Sequence, residues 1–160
     1  MPTYDVPIYD IYYDEGIYVG YRWYEAQQIE PQFAFGYGLS YTEFEISGAR
    51  ANKNSLTSDG ELQITVQVKN TGKVAGAEVV QLYIQDEEAS VERPVKELKG
   101  FHKVYLEPGE SKEVRFVIHA EDLSFYDVAS QSWKAEKGNF IAHIGSSSDQ
   151  ISEKVAFELK

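Results

Sequence analysis

Asp14 and Glu15 are adjacent carboxylates beside a cluster of tyrosines, and they are the first candidates for catalysis in this sequence. Glycosidases use two carboxyl groups, held about 5 to 10 Å apart across the scissile bond. The chain contains 26 acidic residues, however, so an adjacent pair is expected by chance. We therefore predict no catalytic residue at these two positions.

The histidines and serines suggest neither a metal site nor a catalytic triad. His102, His119 and His143 are scattered among strand-like segments, without the short spacing of zinc ligands. Ser40 in "GLSY" lacks the G-x-S-x-G nucleophile motif, and residues 146–148 are serines in a turn-like stretch. The short glycine-containing stretches "GYGLS" and "GKVAGA" do not form a phosphate-binding loop. We predict no metal and no cofactor.

Composition restricts the possible partners. The 160-residue chain has a formal net charge of −11, which argues against binding to nucleic acid or to anionic lipid. Neutral sugars and other proteins remain possible. No cysteine is present, so disulfides and thiolate zinc sites are excluded. Because the sequence shows neither a signal peptide nor an apolar run of about 20 residues, a location in the cytoplasm is slightly favoured.

Aromatic residues are the most distinctive feature of the first 40 positions. The stretch "EPQFAFGYGLSYTEFE" (residues 30–45) places Phe33, Phe35, Tyr37 and Tyr41 around two glycines, Gly36 and Gly38. Such rings could stack on sugars, but packing into a core or between domains is the favoured interpretation. Trp133 is the best single candidate for a sugar platform, although a buried tryptophan covering the end of the fold is favoured there too. Spacing in residues 8–24 fits both a helix and extended chain.

From Tyr41 onward the hydrophobic pattern has a period of two. The stretch "ELQITVQVKN" alternates apolar and polar residues, and "NTGKVAG" and "EPGE" are turn signals between such stretches. About seven strands fit into residues 41–160, which is the spacing of an antiparallel β-sandwich. No Cys…Trp…Cys pattern of a true immunoglobulin domain is present. We therefore predict an all-β, fibronectin type III-like (immunoglobulin-like) fold.

Five segments, in this order, resemble the C-terminal end of family 3 glycoside hydrolases of the β-glucosidase type. They are "YDEGIYVGYRWYE" (residues 13–25), "IEPQFAFGYGLSYTEFE" (29–45), "VKNTGKVAGAEVVQLYI" (68–84), "VERPVKELKGFHKVYLEPGES" (91–111) and "DLSFYD" (122–127). The resemblance covers essentially the whole chain. It implies that residues 1–40 are the tail of a preceding α/β sandwich domain with the crossover, and that residues 41–160 are a fibronectin type III-like domain.

The same resemblance assigns the aromatic residues to packing between domains. These candidates are Tyr21, Trp23, Phe33, Phe35, Tyr37 and Tyr41. In the family, the aspartate nucleophile and the acid/base glutamate belong to upstream domains, and neither motif is found in this sequence. We therefore expect no hydrolase activity from this chain alone.

Three functions remain open at this stage. The preferred one is a non-catalytic module that stabilises the catalytic domains of a family 3 enzyme, either in cis or as a separate chain. The second is a carbohydrate-binding module, which requires that Trp133 and the aromatic residues between Tyr4 and Tyr24 form an exposed strip. The third is the small subunit of a split β-glucosidase. Self-association through residues 1–40 is also expected, because these aromatic residues need a surface to cover them.

Overall fold

The computed structural model describes Tyr12 and residues 14–160. Within that part of the chain there are one short helix, one 3₁₀ helix (Ala120–Leu123) and ten strands. Their bounds are α1 (Tyr21–Ala26), β1 (Phe44–Ala51), β2 (Ser55–Leu56), β3 (Glu61–Asn70), β4 (Gly76–Asp86), β5 (Glu97–Leu106), β6 (Ser111–His119), β7 (Phe125–Asp127), β8 (Ser132–Lys134), β9 (Gly138–Gly145) and β10 (Ile151–Leu159). In the part of the chain that the structure covers, no helix is long and apolar enough to cross a membrane.

The strands form two packed sheets and one separate hairpin. One sheet has the order β1-β3-β6, the second has the order β2-β10-β9-β4-β5, and β7 pairs with β8. All pairings are antiparallel except the short parallel one between β2 and β10. Seven strands are eight residues or longer, and three have only two or three residues. The predicted all-β sandwich is confirmed, with three short strands added to the expected seven.

The core lies between the two sheets and follows the period-two pattern. On β3, Leu62, Ile64, Val66 and Val68 are buried, while the residues between them face outward. The opposite sheet contributes alternate residues of β4, β9 and β10 to the same core. The alternation of polar and apolar residues along each strand therefore determines which face of each sheet packs against the other sheet.

Strand β4 departs from this alternation, because all residues from Val80 to Ile84 are buried. Val80, Leu82 and Ile84 belong to the core, so Gln81 and Tyr83 point to the opposite side of the sheet. That outer side is covered by residues 14–40, which we call the N-terminal segment. The segment contains a single helix of six residues, α1, which follows Gly20 at a positive φ of 64°. Part of the region of ambiguous periodicity, residues 8–11 and Tyr13, lies outside the described residues.

Candidate functional site

None of the candidates for catalysis come together in the structure. Asp14 and Glu15 are exposed in a turn formed by residues 14–17. His102 and His119 are exposed, whereas His143 is buried on β9. Among the described residues, no group of three or more histidine or acidic side chains could hold a metal ion.

The serines have structural positions. Ser40 is exposed. Ser147 and Ser148 are buried in the turn between β9 and β10, where the Ser147 hydroxyl donates to Asp149. The Ser148 amide donates to the carbonyl of Phe35 at 2.9 Å. These serines therefore fix a turn and hold the N-terminal segment.

Tyr21 is the centre of the contact between the N-terminal segment and the five-stranded sheet. Its hydroxyl oxygen accepts a hydrogen bond from the Leu98 amide at 2.8 Å. Its ring stacks on Phe35 with centroids 5.0 Å apart and meets the edge of Tyr83 at 5.7 Å. Perpendicular and offset aromatic pairs of this kind add about 0.5–1.5 kcal/mol to their burial. The Tyr21 side chain therefore joins α1 and the stretch around Phe35 to strands β4 and β5.

Two ion pairs fasten α1 to the start of β5. Lys96 is only 8% exposed, pairs with Glu25, and lies with its ammonium 5.6 Å from the centre of the Tyr83 ring. Arg22 contacts Glu97 at 3.1 Å between Nη2 and Oε1. Both pairs join residues more than 70 positions apart, so they position the helix on the sheet and add little to the helix itself.

The second half of the segment is held by close backbone approach and by a threonine. Gly36 has a φ of 84°, and a Cβ there would lie 2.3 Å from Nε2 of Gln81, so the position requires glycine. Further along, the Thr42 hydroxyl donates to Oδ1 of the buried Asn70 at 2.7 Å. Gly38 has neither a positive φ nor a close neighbour.

Burial controls the protonation of the groups beneath the segment. Burial raises the pKa of the Tyr83 hydroxyl, and nearby Tyr21, Glu25 and Asp149 raise it further. The Tyr83 hydroxyl donates to Oε1 of Gln81. Tyr83 therefore stays neutral and acts as a hydrogen-bond donor in this layer.

His143 and Glu25 lie in the same layer. Burial, followed by the charges of Lys154 and Lys96, lowers the pKa of His143 from 6.5 to about 4, so the ring is neutral. Burial raises the pKa of Glu25, and the Lys96 ammonium opposes this rise.

A groove of about 930 Å³ runs along these side chains, between the N-terminal segment and the turn after β9. Along this groove Glu25 is paired with Lys96, whereas Oε2 of Glu25 is buried without a hydrogen-bond partner.

The aromatic residues predicted to pack between domains divide into two groups. Tyr21 and Phe35 contact the sheet or each other, and Trp23 meets Tyr24 edge to face within α1. The second group is Phe33, Tyr37 and Tyr41, of which Phe33 and Tyr37 lie together at 5.3 Å, and all six residues except Tyr21 are exposed. The N-terminal segment therefore covers part of the sheet and leaves part of its own apolar surface uncovered.

Strand β5 extends this uncovered surface. Phe101 and Tyr105 are 65% and 56% exposed, and they flank Lys103 on the outer side of the strand. Lys103 and its cross-strand neighbour Val79 line a cavity of about 530 Å³ together with residues 36–40. We call the side chains of Tyr37, Leu39, Tyr41, Phe101 and Tyr105 the exposed apolar face.

Sequence reasoning missed Phe101, Tyr105 and the Lys96–Glu25 pair. One signal was available for the covered part of the sheet: "VVQLYI" in β4 is nearly continuous in large residues, as in a strand buried on both sides. No comparable signal distinguishes Phe101 from an ordinary exposed aromatic residue.

Trp133 lies on the hairpin β7–β8 and is 72% exposed. The interpretation in which it is buried at the end of the sandwich is wrong, because the hairpin turns it away from the core. Its ring meets Tyr126 edge to face, with centroids 5.8 Å apart. Residues 4–11 and Tyr13 of the strip predicted between Tyr4 and Tyr24 lie outside the described residues, so the strip stays a prediction.

Comparison with known proteins identifies the sandwich. The family model for the fibronectin type III-like domain matches residues 78–148. Over 146 residues the chain is 53% identical to β-glucosidase BoGH3A of Bacteroides ovatus, which corresponds to 91% of this chain and 20% of that protein. It is 48% identical to thermostable β-glucosidase B of Acetivibrio thermocellus, covering 87% of this chain and 18% of the relative.

Solved structures agree with the sequence relatives. The β-glucosidase of Kluyveromyces marxianus, solved in complex with glucose, superposes with a TM-score of 0.84 at 45% identity, over 92% of this chain and 17% of that one. β-Glucosidase 3B of Thermotoga neapolitana gives 0.83 at 40% identity, over 91% and 20% of the two chains. This chain spans about a fifth of the length of these relatives. It carries a fibronectin type III-like domain and corresponds to the C-terminal region of family 3 glycoside hydrolases of the β-glucosidase type.

Proposed function

We propose that this chain is a non-catalytic module that stabilises the catalytic domains of a family 3 β-glucosidase. In this proposal residues 41–160 are the fibronectin type III-like domain, and residues 1–40 are the end of a preceding α/β sandwich domain with the crossover. The observation that carries it is the exposed apolar face. The N-terminal segment is fixed on one side to β4 and β5, and its other side presents large apolar side chains to solvent.

The exposed apolar face has the properties of an interface between domains. Tyr41 is fully exposed although it directly precedes the sandwich, and Leu39 is nearly so. Large exposed apolar patches on monomeric proteins usually mark surfaces that bind another protein or domain. Because Tyr21 within this segment and Thr42 directly after it both bond to the sandwich, the face is presented in a fixed geometry. The proposed partner is the set of upstream catalytic domains, in cis or as a separate chain.

Such a module would act on catalysis through positioning alone. Retaining glycosidases need an acid/base and a nucleophile about 5 Å apart across one bond, and small displacements of such groups are costly. The exposed, turn-bound Asp14 and Glu15 support a non-catalytic assignment. We expect the purified chain to leave an aryl glucoside unhydrolysed. Turnover that is lost in Asp14→Ala or Glu15→Ala would overturn the proposal.

A chimeric enzyme tests the interface directly. The matching region of BoGH3A is replaced by this chain, and Tyr41→Lys and Phe101→Lys are introduced together. The matched control is Val117→Lys with Val128→Lys, which changes two exposed apolar residues outside the exposed apolar face. We expect the interface variant to lower the Tm and the yield of the chimera, with the ratio of kcat/KM between two aryl glycosides unchanged. Equal Tm values for the interface variant and the control would contradict the proposal.

A further inference from the structure

The hairpin β7–β8 is fixed to the sandwich by one of its two faces. On the inner face, the ring of Phe125 lies under the Arg93 guanidinium, whose carbon is 5.8 Å from the ring centre. Arg93 is itself nearly buried, pairs with Asp86 and Glu97, and donates to the carbonyl of Leu123 at 2.8 Å. The hairpin is therefore held in place by a side chain with four separate partners.

The outer face of this hairpin presents two aromatic rings to solvent. Tyr126 and Trp133 are directly opposed across the two strands, so they lie on the same side. They are 50% and 72% exposed and nearly perpendicular, at 75°. The turn that joins the strands is ordered by Asp127, which accepts hydrogen bonds from the Ala129 amide and the Ser130 hydroxyl. The hairpin therefore holds both rings on the face that contacts solvent.

We propose that Trp133 and Tyr126 form a binding platform for one neutral pyranose ring of an oligosaccharide. The aliphatic C–H face of a pyranose stacks on the electron-rich face of an indole, and the perpendicular tyrosine ring supplies a side wall with a hydroxyl group. This inference does not rest on the proposed function, because it concerns a different surface and a free ligand.

Area and charge favour a sugar over a protein partner on this platform. At their observed exposure the two rings offer about 300 Å² at most. A stable protein interface needs about 800 Å² from each partner. Residues 130–132 and Lys134 are polar and exposed, and Val128, which is 79% exposed in the same turn, adds too little apolar area to reach that size. A net charge of −11 further disfavours a second copy of the chain or an anionic ligand.

The test uses the full chain and the neutral probes cellotetraose, laminaritetraose and mannotetraose. Because the sequence has two tryptophans, Trp23→Phe leaves Trp133 as the single indole. We expect at least one probe to shift the emission of that variant with a Kd in the millimolar range, about −4 kcal/mol. In Trp133→Phe, which retains only Trp23, no shift is expected. Absence of any shift in Trp23→Phe up to about 20 mM of every probe would overturn the proposal.

Affinity is measured separately by ligand-observed NMR, which does not depend on fluorescence. Trp133→Ala should weaken binding at least about tenfold, Tyr126→Ala less, and Phe101→Ala not at all. Far-UV circular dichroism and the Tm of each variant show whether the sandwich is intact. If removal of Trp133 unfolds the hairpin, Trp133→Phe retains an aromatic ring there and should bind more weakly than wild type but measurably. Unchanged affinity in folded Trp133→Ala, or equal loss in Phe101→Ala, would contradict the platform.

Discussion

At the scale of single residues, a charged substitution at Val66 tests whether water is excluded from the core between the two sheets. The Val66 side chain is only 1% exposed and lies in the centre of β3. Val66→Asp would bury an unpaired carboxylate, so we expect a loss of more than about 4 kcal/mol in the free energy of unfolding. The control is Thr65→Asp, because Thr65 faces outward between Arg50 and Arg115 on the neighbouring strands. Urea denaturation of both variants measures the difference, and equal stability would mean that the register of β3 is wrong.

His143 links the stability of the fold to pH. Its pKa falls from 6.5 in the unfolded chain to about 4 in the folded one, so the unfolded state binds more protons between these values. The stability that depends on neutral His143 is therefore complete above pH 6.5 and is lost as pH falls towards 4. The slope is at most about 1.4 kcal/mol per pH unit.

The comparison with His143→Gln isolates this contribution. Lys96 and Lys154 face the imidazole, and its Nε2 is 2.8 Å from Oε1 of Gln85, so neutral glutamine can retain a hydrogen bond there. We expect the variant to lose less stability than wild type between pH 6.5 and 4 in parallel urea titrations. Carboxylates such as Glu25 titrate in both proteins and cancel in the difference. Identical pH profiles would contradict a buried neutral histidine.

At the scale of elements, the N-terminal segment should open as one unit when Tyr21 is removed. Tyr21→Ala deletes the stacking on Phe35, the edge contact with Tyr83 and the acceptor for the Leu98 amide. Loss of a side chain with this much packing costs about 2–3 kcal/mol. We expect faster amide hydrogen exchange in α1 and near residue 36, while the amides of β3 keep their protection.

The control for this experiment is Trp23→Ala in the same helix. The Trp23 ring contacts Tyr24 within α1, so its loss should leave the attachment to the sheet intact. If Tyr21→Ala accelerates exchange in β3 as much as in α1, the segment and the sandwich form one cooperative unit. That result would contradict independent opening of the segment.

The same elements show what a sequence can and cannot predict. The period of two in "ELQITVQVKN" predicted β3 and its buried face correctly, because one polar and one apolar face leave a single register. The hairpin β7–β8 has strands of only three residues, too short for any periodicity. The pair of Lys96 with Glu25 joins positions 71 apart, and only the folded chain brings them together. The exposure of Trp133 likewise depends on Phe125 and Arg93 on the other side of the hairpin.

At the scale of the whole molecule, the five-stranded sheet is covered on its outer side in an uneven way. Over β4 and β9, the N-terminal segment buries Tyr83, Gln81 and His143. Over β5, Phe101 and Tyr105 remain in contact with solvent. The segment therefore covers the outer side of the sheet over β4 and β9, and it adds its own exposed apolar side chains to those of β5. The chain by itself retains an apolar surface that a further partner can cover.

We expect that uncovered surface to cause self-association of the isolated chain. The exposed apolar face includes Tyr37 and Leu39 from the first 40 residues, and it can be covered by a second copy. Each copy has a net charge of −11, so association is opposed by repulsion and should strengthen with added salt as this repulsion is screened. Sedimentation velocity at increasing protein and salt concentrations measures the effect.

The variant Leu39→Lys with Phe101→Lys tests which surface is responsible. It places two charges within the exposed apolar face, so association should weaken even though the added cations reduce the net repulsion between copies. Val117→Lys with Val128→Lys adds the same two cations outside the exposed apolar face and controls for this change in charge. Deleting residues 1–31 removes α1 but keeps Leu39 and Phe101, and it also uncovers Tyr83, so this deletion should preserve or increase association through the face. A chain that stays monomeric at every salt concentration, or that becomes monomeric only when residues 1–31 are removed, would show that the exposed apolar face does not bind a second copy.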